Sequence, residues 1–131
     1  EKRSVNFDGK IEFLGFDIKH SRAPEIVYYW KATGKIKKDW TAFVHFISPD
    51  GKIAFQNDHL LSSGGKPSSK WIKNESYKES FSIDVPKGIH SGTYQIKIGI
   101  WDPKTGKRLK VKSDFQKKMD SITVGELNVT G

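Results

Sequence analysis

Apolar and polar residues alternate through most of this chain, and a period of two is the mark of strands with one face buried. The clearest run lies around Tyr94 to Trp101. There Tyr94, Ile96, Ile98 and Ile100 share one face, and Gln95, Lys97, Gly99 and Trp101 share the other. Asp102-Pro103-Lys104-Thr105-Gly106 follows with turn chemistry, so Lys107 to Val111 is expected to return antiparallel. Ile11 to Lys19 reads as a strand with Gly15 as a bulge. Glu25 to Thr33 places Ile26, Tyr28, Trp30 and Ala32 on one side and Val27, Tyr29 and Lys31 on the other.

Trp40 to Ser48 is apolar on both faces, as expected near the centre of a sandwich. Pro49-Asp50-Gly51 is a turn, with a short strand over Lys52 to Gln56 behind it. Residues 57–74 form the one long irregular connection, with Trp71 near its end. Tyr77 to Val85 and Ile122 to Val129 complete the strands, and Ser113 to Asp120 is expected to make a short helical turn. Short strands separated by Gly, Pro, Asn and Asp turns predict an all-β, two-sheet antiparallel β-sandwich, with residues 1–131 as one domain.

Charge changes this picture in one place. The formal net charge is +8, and between Lys104 and Lys118 seven basic residues stand against the single acidic Asp114. Such a segment protects a sheet edge and also attracts acidic glycan, lipid headgroups or nucleic acid. There is no cysteine, which excludes disulfides, thiolate metal sites and a thiol nucleophile. No apolar run approaches the length of a membrane helix, and no signal peptide is visible. The chain begins at Glu1, consistent with a processed or excised piece of an exported protein.

Catalytic motifs are missing: no Gly-x-Ser-x-Gly elbow, no phosphate-cradling glycine loop and no His-Glu-x-x-His pair occurs. The chain is therefore not expected to be an enzyme or to hold a cofactor. His45 shares a strand face with Phe43 and Ile47 and is expected to be a packed residue. Asp58 and His59 offer too few oxygens for calcium, so no metal is expected. Trp30 belongs to the predicted core. Tyr29 and Trp101 point away from it, and Trp71 stands in the long connection. Exposed rings of this kind stack on sugars, on bases or on protein partners, unless the connection folds over and buries them.

Taken in order, Gly9-Lys10-Ile11, Leu14-Gly15-Phe16, Tyr28-Tyr29-Trp30-Lys31-Ala32, Phe43-Val44-His45-Phe46, Asp50-Gly51 and Gln56-Asn57-Asp58 form the first half of a pattern. Trp71, Pro86, Gly92-Thr93-Tyr94, Gly99-Ile100-Trp101-Asp102-Pro103 and Thr105-Gly106-Lys107-Arg108-Leu109 complete it. The set resembles the extracytoplasmic β-sandwich module attached to bacterial membrane glycosyltransferases of the dolichyl-phosphate-mannose mannosyltransferase and aminoarabinose-transferase type. This resemblance implies an immunoglobulin-like sandwich, an extracytoplasmic location and a link to glycan or cell-envelope work. It implies no catalytic residues, since the chemistry of those enzymes belongs to their membrane portion. The chain departs from the pattern in its lysine content and in Lys66-Pro67-Ser68-Ser69-Lys70-Trp71, where the module has a Pro-Thr-Ser-x-Trp run.

The expected function is thus a non-catalytic module for acidic carbohydrate or another anionic envelope polymer. Tyr29, Trp71 and Trp101 would stack on sugar rings. Gln56, Asp58, Lys97 and Arg108 would bind hydroxyls and carboxylates, Arg108 in a bidentate manner. The rival expectation is an interaction module that packs on a membrane glycosyltransferase or builds a surface assembly through sheet edges. Nucleic-acid binding is the weakest option, because the basic charge clusters on one hairpin without a recognised motif.

Overall fold

A computed structural model describes residues 2–20, 23–112 and 119–130. Among the described residues eleven strands follow in chain order: β1 (Lys2–Phe7), β2 (Ile11–Lys19), β3 (Glu25–Ala32), β4 (Thr41–Ile47), β5 (Ile53–Gln56), β6 (His59–Leu60), β7 (Ser62–Ser63), β8 (Lys66–Pro67), β9 (Ser76–Ser82), β10 (Gly92–Trp101) and β11 (Ile122–Val129). A single 3-10 turn among the described residues spans Ser68–Lys70. One sheet has the order β1-β2-β3-β9; the other runs β11-β10-β4-β5, with β6 also pairing with β4. All these pairings are antiparallel, and β7 and β8 form a separate small hairpin.

The period-two pattern decides what lies between the sheets. Phe13, Ile26, Tyr28 and Trp30 from the first sheet join Val44, Phe46, Ile96, Ile98 and Ile100 from the second in one buried cluster. Each of these side chains contributes on the order of 2 kcal/mol by leaving water. Trp30 packs edge-on against Phe13 at 5.0 Å, and Phe46 stacks on Phe55 at 4.4 Å. Gly15 has φ 149°, and the β2–β3 register slips between Phe13 and Gly15. That backbone conformation disfavours a side chain, so the expected bulge sits where the glycine is.

Three segments differ from the sequence expectation. β1 is an additional strand, whose alternation over Lys2–Phe7 is too short to stand out; Val5 and Phe7 are its buried residues. The return of Lys107 to Val111 is not a continuous hairpin partner of β10. Leu109 donates its amide to Ile100, but Val111 bridges Phe7 and Lys112 donates to Asn6, so the segment leaves one sheet and joins the other. The long connection is far from irregular, since it carries β6, β7, β8 and the 3-10 turn. Of the expected helical turn, residues 113–118 lie outside the described residues, and Met119 and Asp120 are not helical.

The long connection is held by a buried carboxylate. Glu79 lies on the inward phase of β9 with Tyr77 and Phe81, and only 4% of it is exposed. Its Oε1 accepts from Trp30 Nε1 at 2.8 Å and meets His59 Nε2 at 3.0 Å. Its Oε2 accepts the Ser62 amide at 2.9 Å. The other His59 nitrogen, Nδ1, faces the Asn57 carbonyl at 2.8 Å, so the ring meets an acceptor on each side. It packs against Phe81 at 4.1 Å and lies 5.1 Å from Tyr28. A buried carboxylate is costly unless donors meet it, and here the Trp30 indole and the Ser62 amide both do.

Replacing Glu79 with Ala leaves the Trp30 and Ser62 donors unmatched. Urea unfolding is expected to show a loss of about 3–5 kcal/mol, against less than about 0.5 kcal/mol for the exposed neighbour Ser80→Ala.

Candidate functional site

The outward residues of the second sheet form a graded surface. Register places Thr41 opposite Trp101, Phe43 opposite Gly99 and His45 opposite Lys97, while Gln56 on β5 faces His45 from the other side. Gln56, His45 and Lys97 therefore make a polar row across three strands. Beside this row Phe43 lies flat over Gly99 and is only 4% exposed, although it points away from the core. A Cβ on Gly99 would meet the Phe43 ring at 2.0 Å, so the missing side chain is what lets the ring lie down.

Arg108 closes this arrangement from above. Its guanidinium carbon sits 4.7 Å from the Phe43 ring centroid, and Nη1 lies 3.5 Å from Asp120 Oδ1. The side chain remains 45% exposed, so the guanidinium is oriented by the ring yet open to solvent. Phe43 and His45 are in ring contact at 4.9 Å. Burial, chiefly, holds the His45 imidazole below its usual range; Asp58 opposes this, and the Arg108 and Lys97 charges reinforce it. Arg108, His45 and Lys97 thus feel one another on one face.

At the end of the same face an open cleft of about 540 Å³ is lined by Lys38, Asp39, Thr41, Leu60, Asp102, Pro103 and Lys104. Asp102 has its carboxyl held below the usual range, first by the Lys104 backbone amide and then by the Lys38 ammonium. Lys38 Nζ stands 3.1 Å from Asp102 and 5.2 Å from the Trp40 ring centroid.

The structure brings some expected site residues together and separates others. Gln56, Lys97, Trp101 and Arg108 share the outer face of the second sheet. Tyr29 does not: it is on the outer face of the first sheet, where its hydroxyl donates to Asp17 Oδ2 at 2.7 Å. It cannot act on one ligand with Trp101.

Trp71 corrects the expectation of an exposed ring. It is 5% exposed, stacks on Tyr77 at 4.5 Å and donates its indole N–H to the Lys66 carbonyl at 2.9 Å. The connection buries it because the 3-10 turn directs it inward. Trp101 is half-buried, with its indole nitrogen sealed and without an acceptor among the described residues, so only part of the ring faces solvent. Asp58 lies beside this face, with Oδ1 4.0 Å from His45 Nε2 and its side chain 35% exposed, and it also ties backbone together. Its Oδ1 accepts the Val44 amide at 2.9 Å, replacing a main-chain acceptor between β5 and β6.

Phe43 and His45 read from the sequence only as strand residues, yet they are the centre of this face. The signal is Gly99 opposite an outward Phe43, and it needs the strand register to be seen. Among the described residues, no three His, Asp or Glu side chains are grouped as a metal site requires. No helix of the described residues is long and apolar enough to cross a membrane. No family model matches the chain, and no curated protein matches it either.

Gly99→Ala is expected to lift Phe43 and Arg108 from the sheet and to cost about 1–3 kcal/mol in urea unfolding. His45 adds a pH dependence. Its folded pKa lies below the ordinary 6.5, so the unfolded chain takes up the proton first. Its contribution is complete above that value and is lost as pH falls below it. The drop in urea midpoint between about pH 7.5 and pH 5.5 is expected to be smaller in His45→Gln than in the parent protein.

Proposed function

We propose that this chain is a non-catalytic, extracytoplasmic binding module of immunoglobulin-like build, and that its ligand is an acidic carbohydrate. Strand order supports the build. β2, β3 and β9 stand as strands A, B and E of that fold, and β11, β10, β4 and β5 as G, F, C and C′. The Tyr94 hydroxyl donates to the His90 carbonyl at 2.6 Å, the tie between tyrosine and main chain found at the start of strand F in such domains.

The observation that carries the ligand class is the Arg108 guanidinium laid open-faced on Phe43, beside His45 and Lys97. A sugar carboxylate would take the two guanidinium N–H groups, while Gln56 and Lys97 meet hydroxyls along the polar row. The exposed part of Trp101 would cover a neighbouring ring. The location and the link to envelope glycans rest on the resemblance to the glycosyltransferase-attached module.

Calorimetric titration with acidic and neutral polysaccharides is the direct test. Binding to the acidic polymer is expected, with Arg108→Ala weakening it by about 10- to 100-fold while its melting curve stays near that of the parent. Flat titrations with both polymers would remove the proposal.

A second reading has one observation in its favour. Ile53 and Leu60, on β5 and β6 along one edge of the second sheet, are 52% and 51% exposed. An edge strand with exposed apolar residues suits a protein partner, such as a membrane glycosyltransferase or a surface-assembly subunit. A strict monomer in light scattering at high concentration, with no partner captured, would count against it.

A further inference from the structure

The two ends of the sandwich differ in charge. The turns 8–10, 33–40, 70–75 and 102–107 hold eight lysines against four carboxylates. At the opposite end, the described residues of the turns 19–25, 48–52 and 83–91 hold three lysines against three carboxylates. Hydrogen bonds show that the lysine turns form one surface. Thr33 and Gly34 donate to the Lys10 carbonyl, Asn74 donates to Ala32, and Ala32 donates to Glu75. The Ser69 amide donates to Asp39, the Ser68 hydroxyl to the Lys38 carbonyl, and Lys38 reaches Asp102.

The carboxylates of this end are already engaged. Asp8 is 3.5 Å from Lys10, Asp102 is 3.1 Å from Lys38, Asp39 accepts from Ser69, and Glu75 accepts from the Tyr77 hydroxyl. Lys35, Lys37, Lys70 and Lys73 are exposed, and none has a carboxylate within ion-pair distance among the described residues. Between Lys70 and Lys73 stands Ile72, 56% exposed, the most exposed large apolar side chain described.

Ile72 is held outward. Its neighbour Trp71 is locked inward by the Tyr77 stack and the Lys66 carbonyl. The Ile72 amide donates to the Tyr77 hydroxyl at 2.6 Å, and its carbonyl accepts from Glu75. Across the surface, Lys35 and Lys37 flank Ile36, which is buried at 5% exposure and fixes both lysines outward. A rigid apolar tip between unpaired ammonium groups matches an interface with a layer of negative headgroups above an apolar interior. A soluble polyanion has use for the charge but none for the isoleucine.

We propose that this end of the sandwich docks on an anionic lipid surface, with Ile72 entering the headgroup boundary and Lys35, Lys37, Lys70 and Lys73 meeting phosphates. This surface adjoins the Arg108 face at the Lys38–Asp102 cleft but uses none of the ligand residues proposed there, so the two can be tested apart.

The test is co-sedimentation of the full chain with phosphatidylcholine vesicles, with and without phosphatidylglycerol. Binding is expected only with phosphatidylglycerol and is expected to fall as salt is raised. Each neutralised lysine, as in Lys35→Gln or Lys37→Gln, is expected to lower partitioning about fivefold. Ile72→Ser is expected to lower it about tenfold. Because Ile72 and these lysines are exposed, all variants should melt near the parent. Arg108→Ala should bind vesicles as the parent does, even though it fails with acidic polysaccharide.

Three outcomes would overturn the proposal. One is no binding to the anionic vesicles, and another is equal binding to neutral ones. The third is binding that Ile72→Ser leaves unchanged and a soluble polyanion displaces in full, which would mark a site for charged polymers instead.

Discussion

A carboxylate in an apolar interior holds this structure together. Glu79 gathers the Trp30 indole from β3, the His59 ring from β6 and the Ser62 amide from β7 around two oxygens. These partners come from strands of both sheets and from the connection between them. Apolar packing alone brings the sheets face to face without fixing which segment lies where, because dispersion and desolvation are not directional. A buried carboxyl group met by two N–H donors and a ring nitrogen is directional, and a displaced donor would leave a buried group unmatched. The positions of His59 and Ser62, and with them the path of the first part of the long connection, follow from that node.

The sheet strands are largely legible in the sequence because each buries one face, and burial writes itself as alternation. Ile11–Lys19 and Ile122–Val129 have the expected bounds, and Tyr94, Ile96, Ile98 and Ile100 face inward as the pattern requires. The bulge at Gly15 is legible for a related reason, since only glycine takes that backbone angle easily. The long connection is not legible. Its strands are two residues long, too short for any period, and its order comes from Glu79, distant in sequence. Glu79 does leave a trace, a charged residue in phase with Tyr77, Phe81 and Ile83, but the phase alone cannot say what meets it.

The binding face is half legible for the same physical reason. Alternation assigns Lys97, Trp101 and Gln56 to outward positions, and the register gathers them. It does not say that an outward aromatic can be covered. Phe43 is buried by the absence of a side chain at Gly99 and by the guanidinium above it, a contact between residues on different strands. Tyr29 shares the outward phase of its own strand, yet belongs to the other sheet. Parity gives in or out, whereas the sheet to which a strand belongs decides which side of the molecule it serves.

Strand direction has one further result. β1 begins where Lys2 pairs with Gly15, and β11 ends where Val129 pairs with Gly92. Gly15 is the middle of β2, whereas Gly92 lies at the end of the sandwich away from the turns at Gly34, Ile72 and Lys104. Polypeptide joined after β11 would follow on from that far end. A tether on that side would therefore present the Ile72 tip as the leading surface, clear of whatever the chain is joined to.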